Sequence, residues 1–149
     1  MTGMRSLALA AAIAGGALLC DGAAEEARAA FRQYYSGWSH APERGYFYRK
    51  YHYKPDAAGS RYEYHYCIYY PSDPRYVYYY DPETQVYWGR FDTQGEPGRQ
   101  YSLLPSGLQS TKLSDVPDEA FPPPGDMPVI PGAADGVRIE PPQGLPAER

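Results

Sequence analysis

All seventeen tyrosines of the chain lie between Tyr34 and Tyr101, and the segments on either side carry none. This distribution constrains the fold more than any other feature. Tyrosine joins a ring large enough to build a core to a hydroxyl that accepts water, and it favours strands. A block so rich in it suits a small sheet that is half wet on both faces. The block contains few Leu, Ile or Val residues, so the rings themselves must supply the packing.

The alternation supports this. From Arg61 to Tyr70, the residues Tyr62, Tyr64, Tyr66, Ile68 and Tyr70 share one face, opposite Arg61, Glu63, His65, Cys67 and Tyr69. Period two sustained over the whole segment is a strand. Pro71-Ser72-Asp73-Pro74 reads as a turn, and Tyr76 to Tyr80 resumes the pattern as the second arm of a hairpin. Asp81-Pro82-Glu83-Thr84 is a further turn, with proline at its second position and two side chains able to bond the local backbone. Gln85 to Phe91 then returns as a strand with Val86 and Trp88 on one face and Tyr87, Gly89 and Phe91 on the other. Asp92 to Arg99 is turn-rich, and Gln100 to Leu104 adds a short edge strand.

Upstream, Arg44 to Lys54 places Tyr46 and Tyr48 on one face and Tyr51 and Tyr53 on the other. A slip of period at Arg49-Lys50 suggests a bulge or bend. Residues 23 to 35 open with Glu25-Glu26 and continue in good helix formers, which predicts a short helix ended by Gly37. The expected fold is mainly β: an antiparallel meander of four to five strands, a short N-terminal helix and an irregular tail.

The N-terminus has Arg5, an apolar run from Leu7 to Leu19 and then Cys20-Asp-Gly-Ala-Ala24. About 13 apolar residues match a secretory leader, whereas a spanning helix needs roughly 20. Residues 1–24 are therefore read as a signal peptide, with Ala27-Arg28-Ala29 a second cleavage candidate, and the mature protein as periplasmic or secreted with no membrane span. Cys20 sits where a lipoprotein cysteine would be acylated. Leu19 before it is bulkier than the small residue such signals carry, so departure with the leader is preferred. Cys67 is then a lone thiol, and no cystine framework holds the domain.

Residues 25–104 form the tyrosine-rich β domain in this reading, and residues 105–149 an acidic proline-rich tail, extended or disordered. Ten of the sixteen prolines follow Leu104. Such a segment lacks ladder donors and apolar surface. Residues 25 to 101 hold ten basic and ten acidic side chains, against three and seven in residues 102 to 149. A neutral domain with an acidic tail argues against a nucleic-acid partner, whose phosphates need clustered cations. Inside the domain, Arg44, Arg49, Lys50, Lys54 and Arg61 precede Glu63, Asp73, Asp81, Glu83, Asp92 and Glu96. Pairing of opposite charges across strands is the expectation.

The stretch Tyr78-Tyr-Tyr-Asp-Pro-Glu-Thr84 with Trp88 resembles the second and third strands of WW domains and of tyrosine-rich octamer-repeat modules. Those domains carry one more residue before the Trp and a proline soon after it, where this chain has Gly89-Arg90-Phe91. The likeness implies similar hairpin chemistry over about eleven residues. More broadly, Tyr34-Tyr-Ser-Gly-Trp38, Tyr76 to Pro82 with Tyr87-Trp-Gly-Arg90, and Phe121-Pro-Pro-Pro-Gly-Asp-Met-Pro128 resemble short tyrosine-rich exported proteins of planctomycete-type bacteria. That resemblance implies export and these domain boundaries, and it carries no active site.

Among reactive groups, His65 and Cys67 share a strand face, and His52 is a third metal-ligand candidate if its strand lies beside theirs. Without CxxC or HExxH spacing the signal is weak, and no cofactor is expected. A hydrolase needs a nucleophile, a base and an oxyanion hole in a pocket. Nothing of that kind is patterned here, so the chain reads as non-enzymatic with no catalytic residues. Exposed aromatic side chains stack on sugar faces or clamp proline rings. Trp38, Tyr78, Tyr80 and Trp88 are the candidates for such a surface, with an envelope glycan, a proline-rich peptide or the chain's own Phe121 to Pro124 segment as ligand. The alternative is a structural envelope component that self-associates through its strand edges.

Overall fold

The computed structural model describes residues 32–147. The signal-peptide and Cys20 readings, and most of the expected helix, lie outside them. The described chain is mainly β, with seven strands: β1 (Gln33–Tyr35), β2 (Ser39–Ala41), β3 (Tyr46–Tyr53), β4 (Glu63–Tyr69), β5 (Tyr76–Asp81), β6 (Val86–Glu96) and β7 (Arg99–Leu103). Their spatial order is β1-β3-β4-β5-β6-β7, all antiparallel, with β2 paired to the other end of β3. The sheet curls into a half-barrel.

Strands β3 to β7 are the meander expected from alternation, and β1 and β2 raise the count beyond four or five. Each has three residues, too few to display a period. They pair with opposite halves of β3, Tyr35 facing Tyr51 and Ala41 facing Tyr46. Between them Ser36 exchanges bonds with Lys50: Ser36 N donates to Lys50 O and Lys50 N to Ser36 Oγ, both at 2.9 Å. The irregularity assigned to Arg49-Lys50 therefore belongs to the neighbouring edge. β3 itself pairs with β4 in continuous register from Phe47 opposite Tyr69 to Tyr53 opposite Glu63. The helix does not extend to Tyr35, because Gln33–Tyr35 is strand. Helix propensity is worth only tenths of a kcal/mol per residue and yields to an open β3 edge.

The two turns between β4, β5 and β6 stand where the sequence places them. Asp81 Oδ1 accepts from Glu83 N at 2.9 Å and Oδ2 from the Thr84 hydroxyl at 2.9 Å. Strand β6 runs on to Glu96, so the turn-rich reading of Asp92 to Arg99 contracts to Pro97-Gly98. Gly98 has φ +84°, which suits the third position of a turn that proline opens.

The bulge of this sheet is in β6. Tyr79 pairs with Gly89 and Tyr80 with Tyr87, so Trp88 has no opposite residue. The extra residue turns Trp88 to the same side as Phe91, with Tyr87 on the other. The strict alternation that set Trp88 against Phe91 is thereby overturned. Gly89 is needed here because a Cβ would stand 2.6 Å from Tyr101 Cζ and 2.8 Å from the Ser102 carbonyl oxygen. Gly89→Ala is expected to destabilise by about 1–3 kcal/mol through overpacking against backbone, measured as a lower melting temperature with unchanged strand content.

Each face has its own core. On the first, Tyr51, Tyr53, Cys67, Tyr69, Val77, Tyr79, Trp88, Phe91 and Tyr101 pack with Ile130 and Ile139. On the second, Ile68, Tyr78 and Tyr87 pack with Leu104, Val116 and Phe121. Residues beyond Leu104 are irregular, with short 3-10 turns at Ser106–Leu108, Leu113–Asp115 and Asp118–Ala120. Val116, Phe121, Ile130 and Ile139 of this segment pack against the sheet. The segment crosses the second face, pairs Gly125 with Tyr101 along β7, and then covers the first face. Its few apolar side chains suffice because they act singly as anchors, and the intervening prolines limit the entropy lost on docking.

Candidate functional site

On the second face the C-terminal segment covers part of the sheet, with Phe121 against Tyr78 of β5 and Ser110 bridged to Tyr87 of β6. Beside that cover lies an open groove of about 630 Å³, walled by Tyr46, Tyr48, Tyr66, Tyr80 and Tyr87 with Ile68 beneath. Register puts these rings side by side: Tyr66 is directly opposite Tyr80, and Tyr48 is opposite Ile68. The rings meet edge to face, Tyr48 with Tyr66 at 6.1 Å and Tyr80 with Tyr87 at 5.0 Å between centroids. Their planes are thus fixed by each other. His40, Glu43, Arg44 and Thr111 supply a polar rim. Arg44 donates to the Tyr46 hydroxyl at 3.2 Å, and Ser110 O accepts from Tyr87 N at 2.8 Å, which sets the C-terminal segment along one side without filling the groove.

From this groove the aromatic surface continues over Tyr64, His52 and Tyr34. Tyr64 is 37% and Tyr34 47% exposed. His52 stacks on Tyr34 at 4.5 Å, and Lys50 and Lys54 sit over the rings of Tyr64 and Tyr62 at 4.4 and 4.7 Å. Of the acidic residues expected to pair across strands, Asp92 does so with Arg75, and Arg32 pairs with Asp135 and Arg90 with Asp118. On β3 the cations also lie on aromatic faces, Lys50 on Tyr64 and Arg49 on Tyr35 and Trp38.

The four aromatic residues picked out by sequence do not converge. Tyr80 lines the groove, and Tyr78 lies beside it, buried under Phe121 with its hydroxyl donating to Asp73 Oδ2 at 3.0 Å. Trp88 is on the opposite face, 9% exposed among His65, Tyr79 and Tyr101. Trp38 is on that face too, near the β2 edge, with Nε1 donating to Gly144 O at 2.6 Å. Tyr46, Tyr48 and Tyr66 were the groove residues that sequence reasoning passed over. Their shared face was visible in the alternation, whereas the part of that face left open depends on the path of residues 105–121.

The potential metal ligands are separated by the pleat. His52 faces Tyr34 and Tyr64 on the second face, while His65 and Cys67 point into the first. Their strands are neighbours, yet adjacent-strand residues share a ligand only when they share a face. Among the described residues no group of three His, Cys, Asp or Glu side chains is placed to hold a metal. Burial pushes the Cys67 thiol up to about 12, which leaves it unreactive near neutral pH. Burial also lowers His65, against the opposing pull of Asp81 and Glu63, and Nε2 lies 3.1 Å from the Tyr53 hydroxyl.

No family model, curated protein or solved structure matches the chain.

Proposed function

We propose that the protein is an exported, non-enzymatic binding module that receives an extended envelope glycan in the groove of Tyr46, Tyr48, Tyr66 and Tyr80. The observation that carries this reading is an open, tyrosine-walled groove on the second face of the sheet. A sugar ring has an apolar face and a hydroxyl edge, and a fixed tyrosine wall with a polar rim offers a partner to each. The adjoining Lys50 favours a glycan with acidic groups. Export rests on the leader pattern from Leu7 to Leu19 and on the likeness to short tyrosine-rich exported proteins.

Self-association by edge pairing has weaker support. One edge, β7, is bridged by Gly125, and the other is broken between β1 and β2, so neither offers a long free ladder.

Titration with soluble peptidoglycan fragments and with a neutral oligosaccharide of equal length tests the reading. Tyr48→Ala and Tyr66→Ala are each expected to weaken glycan binding at least about tenfold. Both are partly exposed, so the fold should survive. Binding that is unchanged in both variants, or absent with every glycan, would sink the proposal.

A further inference from the structure

On the first face, residues 141–147 form a strap over a second aromatic groove. Trp38, Phe47 and Tyr69 line it from the sheet, and Leu145 and Pro146 of the strap complete its wall. Trp38 Nε1 donates to Gly144 O at 2.6 Å, and Arg49 Nη1 donates to Gln143 O at 2.9 Å. An aromatic groove whose donors hold the carbonyls of a proline-rich backbone is a recurring mode of peptide recognition, and here that backbone turns at Gly144, φ +70°. The strap is shallowly seated, with Leu145 46% exposed. Two side-chain bonds and partial burial hold it, so release requires little.

The strap satisfies only part of Arg49. Its guanidinium is stacked between the rings of Tyr35 and Trp38, 4.5 Å from each centroid, and only 6% of the residue is exposed. No carboxylate among the described residues lies within ion-pair distance, and Nε and Nη2 are buried with no protein acceptor. That edge of a guanidinium is one that grips a carboxylate with two parallel bonds. The strap walls one side of the groove and leaves the charge of Arg49 unanswered.

We propose that this groove is a recognition site for a proline-containing peptide bearing a carboxylate, narrowed in the resting chain by its own residues 141–147. The site lies on the face opposite the tyrosine groove and does not depend on the glycan reading. A peptide that adds a carboxylate to the contacts already made by the strap gains the Arg49 edge and displaces it. The strap competes from within the chain at an effective concentration on the order of millimolar, so the unaltered protein responds only to a better-matched ligand.

The test uses the full-length chain and a full-length variant opened by Pro141→Ser, Pro142→Ser, Leu145→Ser and Pro146→Ser, which keeps the Ile130 and Ile139 anchors. The probes are a synthetic peptide of residues 141–147 and the same peptide with Gln143→Glu, at the position whose carbonyl meets Arg49. Binding is followed by calorimetry and by the Trp38 indole N–H resonance. Both peptides should saturate the opened variant, the glutamate peptide at least tenfold more tightly, and Arg49→Lys should remove that preference. The unaltered chain should bind each at least tenfold more weakly. No saturable binding, equal affinity for the two peptides, or equal affinity of the opened and unaltered chains would overturn the proposal. If the opened variant does not fold, the glutamate peptide at several millimolar must shift the Trp38 indole resonance of the unaltered chain on the order of its strap competition, and an unshifted resonance overturns it.

Discussion

A chain ending at Leu104 is expected to lose fixed tertiary structure, although it retains every strand of the sheet. The deletion removes Val116 and Phe121 from the second face and Ile130 and Ile139 from the first, all of them buried. Truncating one such side chain to alanine costs about 2–5 kcal/mol, and a whole domain is stable by only about 5–15 kcal/mol. Four lost anchors exceed that margin. The deletion also takes away Asp118 and Asp135, leaving Arg90 and Arg32 buried without their carboxylates. Arg90 is further held between Tyr76 at 3.8 Å and Phe121 at 4.0 Å, so one deletion strips two of its three partners. The expected readout is collapse of the near-ultraviolet circular dichroism together with binding of a hydrophobic dye. A graded form is available: Phe121→Ala and Ile130→Ala should each lower the melting temperature by about 10 °C or more. A truncated chain that melts within a few degrees of the full protein would contradict this account of the core.

The same segment explains what could be read in the sequence and what could not. Alternation from Arg61 to Tyr80 yields β4, β5 and their face assignments, because a period of two is a local property that needs no partner. The Asp81 turn was equally legible, since its bonds reach only two and three residues along the chain. Trp88 was misplaced because a bulge shifts parity by one, and its cause is remote: Tyr101 lies over Gly89 from the next strand. β1 and β2 were missed because three residues carry no period.

The proline-rich segment was undervalued for a related reason. Sequence composition counts apolar residues, but docking depends on where each one lands. Val116 and Phe121 settle on one face and Ile130 and Ile139 on the other, after a crossing over β7 that no local pattern announces. The candidate site inherits the same limit. Tyr48, Tyr66 and Tyr80 are on one face by alternation alone, yet their availability to a ligand depends on the segment turning away near Ser110. Trp88, the more conspicuous residue in the sequence, is enclosed.

Because rings stand in for aliphatic residues, the core carries buried acids, and alkaline pH should unfold it cooperatively. Tyr51, Tyr79 and Tyr101 are at most 3% exposed, and burial is the leading cause raising each phenol above its ordinary value. The unfolded chain gives up these protons near pH 10, whereas the folded chain holds them. Above that pH the unfolded state binds fewer protons, so stability falls as pH rises, and it is fully present below. Three such groups give a slope of about 4 kcal/mol per pH unit. Cys67 adds to this from lower pH, since burial holds its thiol up to about 12 while an unfolded thiol ionises near 8.5. The combined loss reaches the usual stability of a domain between about pH 11 and 12. The expected observation is a single transition in which phenolate absorbance rises as the near-ultraviolet circular dichroism disappears. Tyr79→Phe removes one linked proton and its 2.8 Å bond to the Tyr35 hydroxyl, so it should reduce the steepness of the transition even where it lowers stability at neutral pH. Gradual ionisation of all tyrosines with the dichroism retained would mean that water already reaches these rings, and the aromatic core would have to be redrawn.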